Sequence, residues 1–290
     1  CDIDRLILAE FSAAALLICA GAVLGRLKLI QYIILGLLFI PCYAMNEWIL
    51  LDGGFGMVAK GAFVDTGGSI VIHTFGALFG TAAMLSLTSK KAFETEIEAD
   101  ATSERFSLLG SMVLWVFWPS FCAALVAPSQ LQQTVVNVIL ALCGSTLATY
   151  FASLALRRKV SVADIANATL AGGVAIGSTC DKTNASAAFV IGILAGVLST
   201  FGFAVIQERL QKVLKKSDTC GVLYLHGLPG LLGGFAALFV VSGIDAGVQI
   251  KGIGITVVLA LLAGLVAGKL VSFVGMLADP YQDAAQLEID

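Results

Sequence analysis

The sequence predicts an all-α fold, a polytopic membrane helix bundle built on inverted repeats. Three observations carry that prediction. Of the 290 residues, 58% are hydrophobic and only 13% charged, about half the charged share of an ordinary soluble domain. The charges are clustered, so about nine apolar runs long enough to cross a hydrocarbon core lie between short polar breaks. The third observation is that the stretches around the only two histidines repeat one another. The apolar runs are continuous and do not alternate, which argues against a membrane β-barrel.

The spans fall at about 6–25, 29–51, 67–87, 108–127, 134–156, 163–180, 187–207, 219–242 and 252–277. They form one domain over 1–277, followed by a short tail, 278–290. Lys and Arg favour cytoplasmic loops. The odd-numbered loops hold twelve of them, among them Arg26, Lys28, Arg157 and Lys216, whereas the even-numbered loops hold only Lys60, Lys182 and Lys251. This bias puts the odd loops and the tail in the cytoplasm and the first residues outside.

The loop 88–107 is mixed in charge and reads as solvated. The segment GGFGMVAKG at 53–61 lacks the strand and spacing of a phosphate cradle and reads as an external turn. Asn184-Ala185-Ser186 is a glycosylation sequon on a predicted external loop. The net charge of −3 identifies no partner, and no basic patch interleaved with aromatics points to nucleic acid. The seven cysteines contain no CxxC pair and lie mostly in apolar runs, where Cys acts as a small hydrophobe. No metal or cofactor is predicted.

The repeat is the most informative feature. DTGGSIVIHTFGALFG runs from Asp65 to Gly80, and DTCGVLYLHGLPGLLGG from Asp218 to Gly234. Aligned without gaps they share Asp, Thr, Gly, His, Leu and Gly, with eight residues from Asp to His in both. Eight residues rise about 12 Å along a helix. One module enters from an even loop and the other from an odd loop, so both histidines arrive near the middle of a core about 30 Å thick. Inverted repeats that meet at the membrane centre are a recurring transporter plan. A lone His in an apolar helix can be structural, but a symmetric pair at midplane favours a cavity or pathway, where intramembrane ionisable groups usually point. Asp65 and Asp218 precede Thr and Gly at helix starts, so capping explains them well. Drawing in a cation is the other reading.

With these motifs, EFSAAALLICAGAVLGR, WPSFCAA and NATLAGGVAIG complete a resemblance to the ammonium transporter/Rhesus (Rh) family, in its Rh branch. The likeness runs through nearly the whole chain in the family's order. It begins at the family's third helix, so the first two of its eleven or twelve have no counterpart in this sequence. The resemblance implies a channel, not an enzyme, that works without a cofactor in the plasma membrane as a homotrimer, with one pore per subunit. It implies twin pore histidines at His73 and His226 and a stacked phenylalanine gate at Phe11 and Phe121. Asp65 and Asp218 match its acidic residues, and Asn167 matches a recurrent position. Cys122 stands where related Rh proteins often carry Asn, which would weaken a polar contact at the gate.

Physics then suggests how such a pore would select. A dry apolar lumen rejects a hydrated cation and admits neutral ammonia, and a hydrophobic constriction excludes water. Burial disfavours a charged imidazole, so two neutral rings would offer a donor and an acceptor to a molecule that needs both. Glu10 beside Phe11 would either raise local cation concentration or serve as a solvated charge. A non-conducting ammonium sensor on the same scaffold, or a channel for another small gas such as carbon dioxide, are the alternative functions.

Overall fold

The computed structural model describes residues 2–95, 97, 100–277 and 279–281. Most of the tail 278–290 therefore lies outside the described residues. All regular structure among the described residues is helical: α1 Ile3–Gly21, α2 Leu29–Leu51, α3 Ser69–Leu87, α4 Ala101–Ala123, α5 Leu131–Arg157, α6 Val162–Ala168, α7 Ala171–Ile176, α8 Ala185–Leu214, α9 Leu223–Val240 and α10 Ala246–Ser272.

Helix starts follow the capping residues in the sequence. Asp2, Asp100, Ser161, Asn184 and Asp245 are each extended, and each side chain accepts a hydrogen bond from the backbone amide three residues on. This satisfies one of the orphan donors of a first turn. Asp100 explains one departure from the expected boundaries. Part of the loop expected at 88–107 is helix: α4 begins at Ala101, seven residues before the apolar run, because the cap nucleates it and its charged first turn is free to protrude. A short helix, Lys90–Glu94, also lies in that stretch. Asn184, the sequon residue, spends its side-chain oxygen on capping α8.

Seven of the helices (α2, α3, α4, α5, α8, α9 and α10) are long and apolar enough to cross a membrane. The first expected span is α1, of membrane length but carrying Asp4, Arg5 and Glu10. The sixth, expected as one helix over 163–180, is broken into α6, α7 and a 3-10 turn, Gly177–Thr179. Non-helical backbone at membrane depth is tolerated only when protein buries it, and every residue of α7 and of the 3-10 turn is buried.

Two hydrophobic cores organise the bundle. One joins α1, α2, α3 and α10, centred on Phe39, Tyr43, Phe75 and Phe79. The other joins α4, α5, α7 and α8 around Leu142, Val174 and Ile176. Each core contains a close helix pair with glycines four residues apart. Gly264 and Gly268 of α10 lie against the backbone of Phe79 and Ala83, and Gly192 and Gly196 of α8 lie against that of Ala141 and Ser145. Small residues at this spacing let helices approach in a membrane, where packing replaces the hydrophobic drive.

Candidate functional site

The site is built at the junction of the two cores, from the repeated module. In each copy a buried aspartate precedes a glycine with positive φ: Gly68 at 76° and Gly221 at 67°. Only glycine adopts that conformation freely, and it turns the chain back so that the carboxylate meets the helix that follows. Asp65 accepts from the amides of Ile70 and Val71 at 3.0 and 2.7 Å. Asp218 accepts from those of Val222 and Leu223, both at 3.1 Å. The aspartates thus satisfy donors at the helix start from outside the helix, Asp65 from three residues before the N-cap Gly68 and Asp218 from four residues before the N-cap Val222.

The turn that follows is wide in both copies, a π turn over Ser69–Thr74 in α3 and over Leu223–Gly227 in α9. Each π turn carries its histidine. Such turns recur at functional positions because they re-aim a side chain. Here they bring the rings together: Nδ1 of His73 and Nδ1 of His226 are 3.2 Å apart. The rings lie nearly parallel, 7° apart, with centroids 5.2 Å from each other. A hydrogen bond at that distance requires opposite tautomers at the two nitrogens, one donating and the other accepting. His73 is 4% exposed, and its Nε2 is buried without a partner.

Aromatic side chains cover the pair. Trp118 of α4 stacks on His73 at 5.6 Å and 18°. Phe121, one turn further along α4, lies 6.2 Å from His73 and 4.8 Å from Phe11 of α1. The resemblance implied stacked phenylalanines, whereas the two rings are tilted by 56°. Tilted contacts suit the ring quadrupoles as well as offset stacking does.

These residues border a cleft of about 760 Å³ between the cores, with an overwhelmingly apolar lining. Glu10 and Asn167 also line it. The Asn167 amide donates to the Ala163 carbonyl at 2.9 Å, inside its own helix. Cys122 follows Phe121 in the chain but does not line the cleft; it is buried against Gly67.

Three contributors have no place among the expected site residues. Trp118 is one; its signal was its position three residues before Phe121 in WPSFCAA, which puts both on one helix face. Ser178 is another: its hydroxyl donates to Asp65 at 2.5 Å. Ser69 is the third, with its hydroxyl donating to the Val174 carbonyl at 2.6 Å and accepting from the Ser178 amide at 2.7 Å. The broken segment after α7 thus hydrogen-bonds to the turn that carries His73. Nothing local in the sequence announces that contact.

A membrane bundle with an apolar, aromatic-capped cleft between two halves has the architecture of a channel or transporter. Comparison with known proteins gives the family. The sequence profile of the Ammonium Transporter Family matches residues 4–288, and the chain belongs to that family, which is one of transporters and channels and not of enzymes. It is 35% identical over 293 residues to ammonium transporter Rh type A of Bos taurus, covering 97% of this chain and 67% of that protein. It is 36% identical over 272 residues to ammonium transporter Rh type B of Xenopus tropicalis, covering 90% of this chain and 56% of that one. The chain therefore spans about half to two thirds of the length of such relatives. Among solved structures it superposes on Rh50 of Nitrosomonas europaea, of the Rhesus protein family of channels, with a TM-score of 0.95 and 52% identity. That match covers 99% of this chain and 75% of the other. A sensor Amt protein shares the fold alone, at 20% identity and a TM-score of 0.75, covering 91% of this chain and 70% of that one.

Proposed function

We propose that this chain forms an ammonia-conducting pore. Ammonium gives up its proton to bulk water at the mouth above Phe11 and Phe121, where the proton stays, and neutral ammonia passes His73 and His226. The observation that carries this reading is the histidine pair: two imidazoles face each other, Nδ1 to Nδ1 at 3.2 Å, beside an apolar cleft and with one ring 6.2 Å from the phenylalanine that caps it. An apolar lumen penalises an ion by far more than a small neutral amine, so the cleft favours the uncharged species. The pair then offers one orphan ring nitrogen, His73 Nε2, to a molecule that both donates and accepts.

The pore domain extends over 1–277, with 278–290 as a cytoplasmic tail. The working assembly is a homotrimer in the cell membrane with one pore in each subunit. The family resemblance supports that assembly. Ammonia and ammonium are its substrates, and no cofactor takes part.

The test is reconstitution. Proteoliposomes given an ammonium gradient are followed for internal pH and membrane current together. The expected result is a fast internal alkalinisation without current. A current proportional to flux would replace neutral conduction with charged transport, and rates equal to protein-free liposomes would defeat the channel reading.

A further inference from the structure

The turn that follows α2 holds a costly backbone conformation whose side chain is not buried. Phe55 has φ 55° and ψ 10°, in the left-handed region that a residue with a bulky side chain enters only at an energetic cost. Burial does not offset that cost, since Phe55 is 71% exposed. The turn is nonetheless braced. Lys251 Nζ donates to the Met57 carbonyl at 2.6 Å, Lys60 pairs with Asp52 at 2.9 Å, and the Gly61 amide donates to the Leu51 carbonyl at 3.3 Å. None of these bonds involves the Phe55 side chain, so the turn holds that ring out rather than being held by it.

The Phe55 ring meets Trp48, in the last turn of α2, edge to face, with centroids 4.8 Å apart and planes at 70°. Gly54 makes room for the contact, since a Cβ there would stand 2.6 Å from the indole. Trp48 is itself 47% exposed. It ends a stripe along α2 formed by Ile33, Leu37, Ile40 and Ala44, all exposed. Their spacing of three or four residues puts them on one helix face. From Ile33 to Trp48 the stripe rises about 22 Å, most of a hydrocarbon core about 30 Å thick. The turn then carries the exposed Asp52 and Lys60. The order along this side of the molecule is apolar, then aromatic, then charged.

We infer that Trp48 and Phe55 form an interfacial anchor, seated in the phospholipid headgroup layer of the leaflet on the even-loop side. Aromatic rings concentrate at that depth, and an indole suits it by joining an apolar body to one N–H donor. The order on α2 and its turn follows the depth profile of a leaflet, from acyl chains through the interface to water. The stripe also argues against a second copy of the chain as the occupant. Helices that pack on one another in a membrane use small residues for close approach, as Gly264 and Gly268 do against α3, whereas this stripe presents bulky Ile33, Leu37 and Ile40. The strained turn then has a use: it sets a second ring beside Trp48 at the depth where α2 ends, and through Lys251 it ties that depth to α10.

The test reads tryptophan fluorescence of the full chain in phosphatidylcholine vesicles, so it needs no flux and stands or falls apart from the channel reading. The chain has three tryptophans, and subtracting the Trp48→Phe spectrum from that of the wild type isolates Trp48. Its emission should be lost mainly to lipid carrying a nitroxide at the head of the acyl chain. Nitroxide near the terminal methyl, and iodide in the water, should each remove less. Phe55→Trp in the Trp48→Phe background moves the reporter to the other ring and should give the same shallow quenching. It also supplies a second reading if Trp48→Phe alone alters the fold. Quenching of both reporters mainly by iodide would overturn the anchor by placing the turn in water, and quenching mainly by the deep nitroxide would place the pair in hydrocarbon. Protection of both reporters from all three quenchers would overturn it in favour of a contact between copies of the chain.

Discussion

Individual side chains at this site act through what they leave unsatisfied as much as through what they bond. His73 offers its Nε2 to no protein group, in a cleft with little other polar surface. A hydrogen bond in such surroundings contributes roughly 1–3 kcal/mol, and each 1.4 kcal/mol is about tenfold in rate. Replacing His73 or His226 with Ala should therefore slow ammonia flux by about ten- to a hundredfold per folded protein. The neighbouring truncations Ile72→Ala and Leu225→Ala should change it far less. Flux measured in matched proteoliposomes decides the matter, and equal losses at all four positions would reduce the pair to packing. Asp65 carries a different role, since its carboxylate takes two amides and the Ser178 hydroxyl. Asp65→Ala leaves three buried donors without an acceptor and should cost roughly 3 kcal/mol of stability, whereas Ser178→Ala should cost about 1 kcal/mol. Thermal unfolding in detergent would show the difference; equal small effects would remove the capping argument. The histidines and aspartates were legible because the sequence states them twice. Trp118 and Ser178 were not, because a stacking contact between α3 and α4 and a bond from a broken segment depend on packing between residues distant in sequence.

At the level of elements, apolar runs revealed where the chain crosses the membrane but not how regular each crossing is. The stretch 163–180 is apolar enough to pass for one helix. It breaks after Ala168 and again after Ile176, and the second break supplies the Ser178 amide to Ser69 of the His73 turn and the Ser178 hydroxyl to Asp65. Hydropathy is blind to this, because buried broken helix and buried continuous helix have the same composition. The same blindness hides the π turns, whose extra residue leaves no trace in the apolar pattern. Helix pairing, by contrast, follows from glycine spacing. A side chain at Gly264 would run into the Phe79 backbone, whereas Gly254 of the same helix faces open space. Gly264→Leu should destabilise the α3–α10 seam by about 1–3 kcal/mol, the usual range for overpacking, and Gly254→Leu should be close to neutral. The contrast within one helix separates close packing from helix propensity, since propensity would move both variants alike. A loss of stability that is the same at both positions would refute the seam.

For the whole molecule the remaining question is orientation, which the bundle itself does not record. The repeated module recurs in both halves: a capping aspartate, a glycine with positive φ and a π turn that carries the histidine occur at Asp65, Gly68 and His73 and again at Asp218, Gly221 and His226. Packing and hydrogen bonding inside the bundle are the same whichever face lies inside. Charge is not indifferent, because twelve Lys and Arg residues lie in the odd loops and three in the even ones, and this bias sets topology when loops are short. Two exposed residues report on the two faces. Lys159 is exposed in the loop between α5 and α6. Lys60 is exposed in the turn after α2, where its ion pair with Asp52 lies on the surface and contributes little to stability. Single cysteines at these positions, in a background with the native cysteines replaced, should respond oppositely to a membrane-impermeant maleimide on intact cells. Lys60→Cys should label directly, and Lys159→Cys only after permeabilisation. The reverse pattern would place the Glu10 end of the cleft in the cytoplasm and Arg26 outside. The aromatic cap formed by Phe11 and Phe121 would then face the inner compartment.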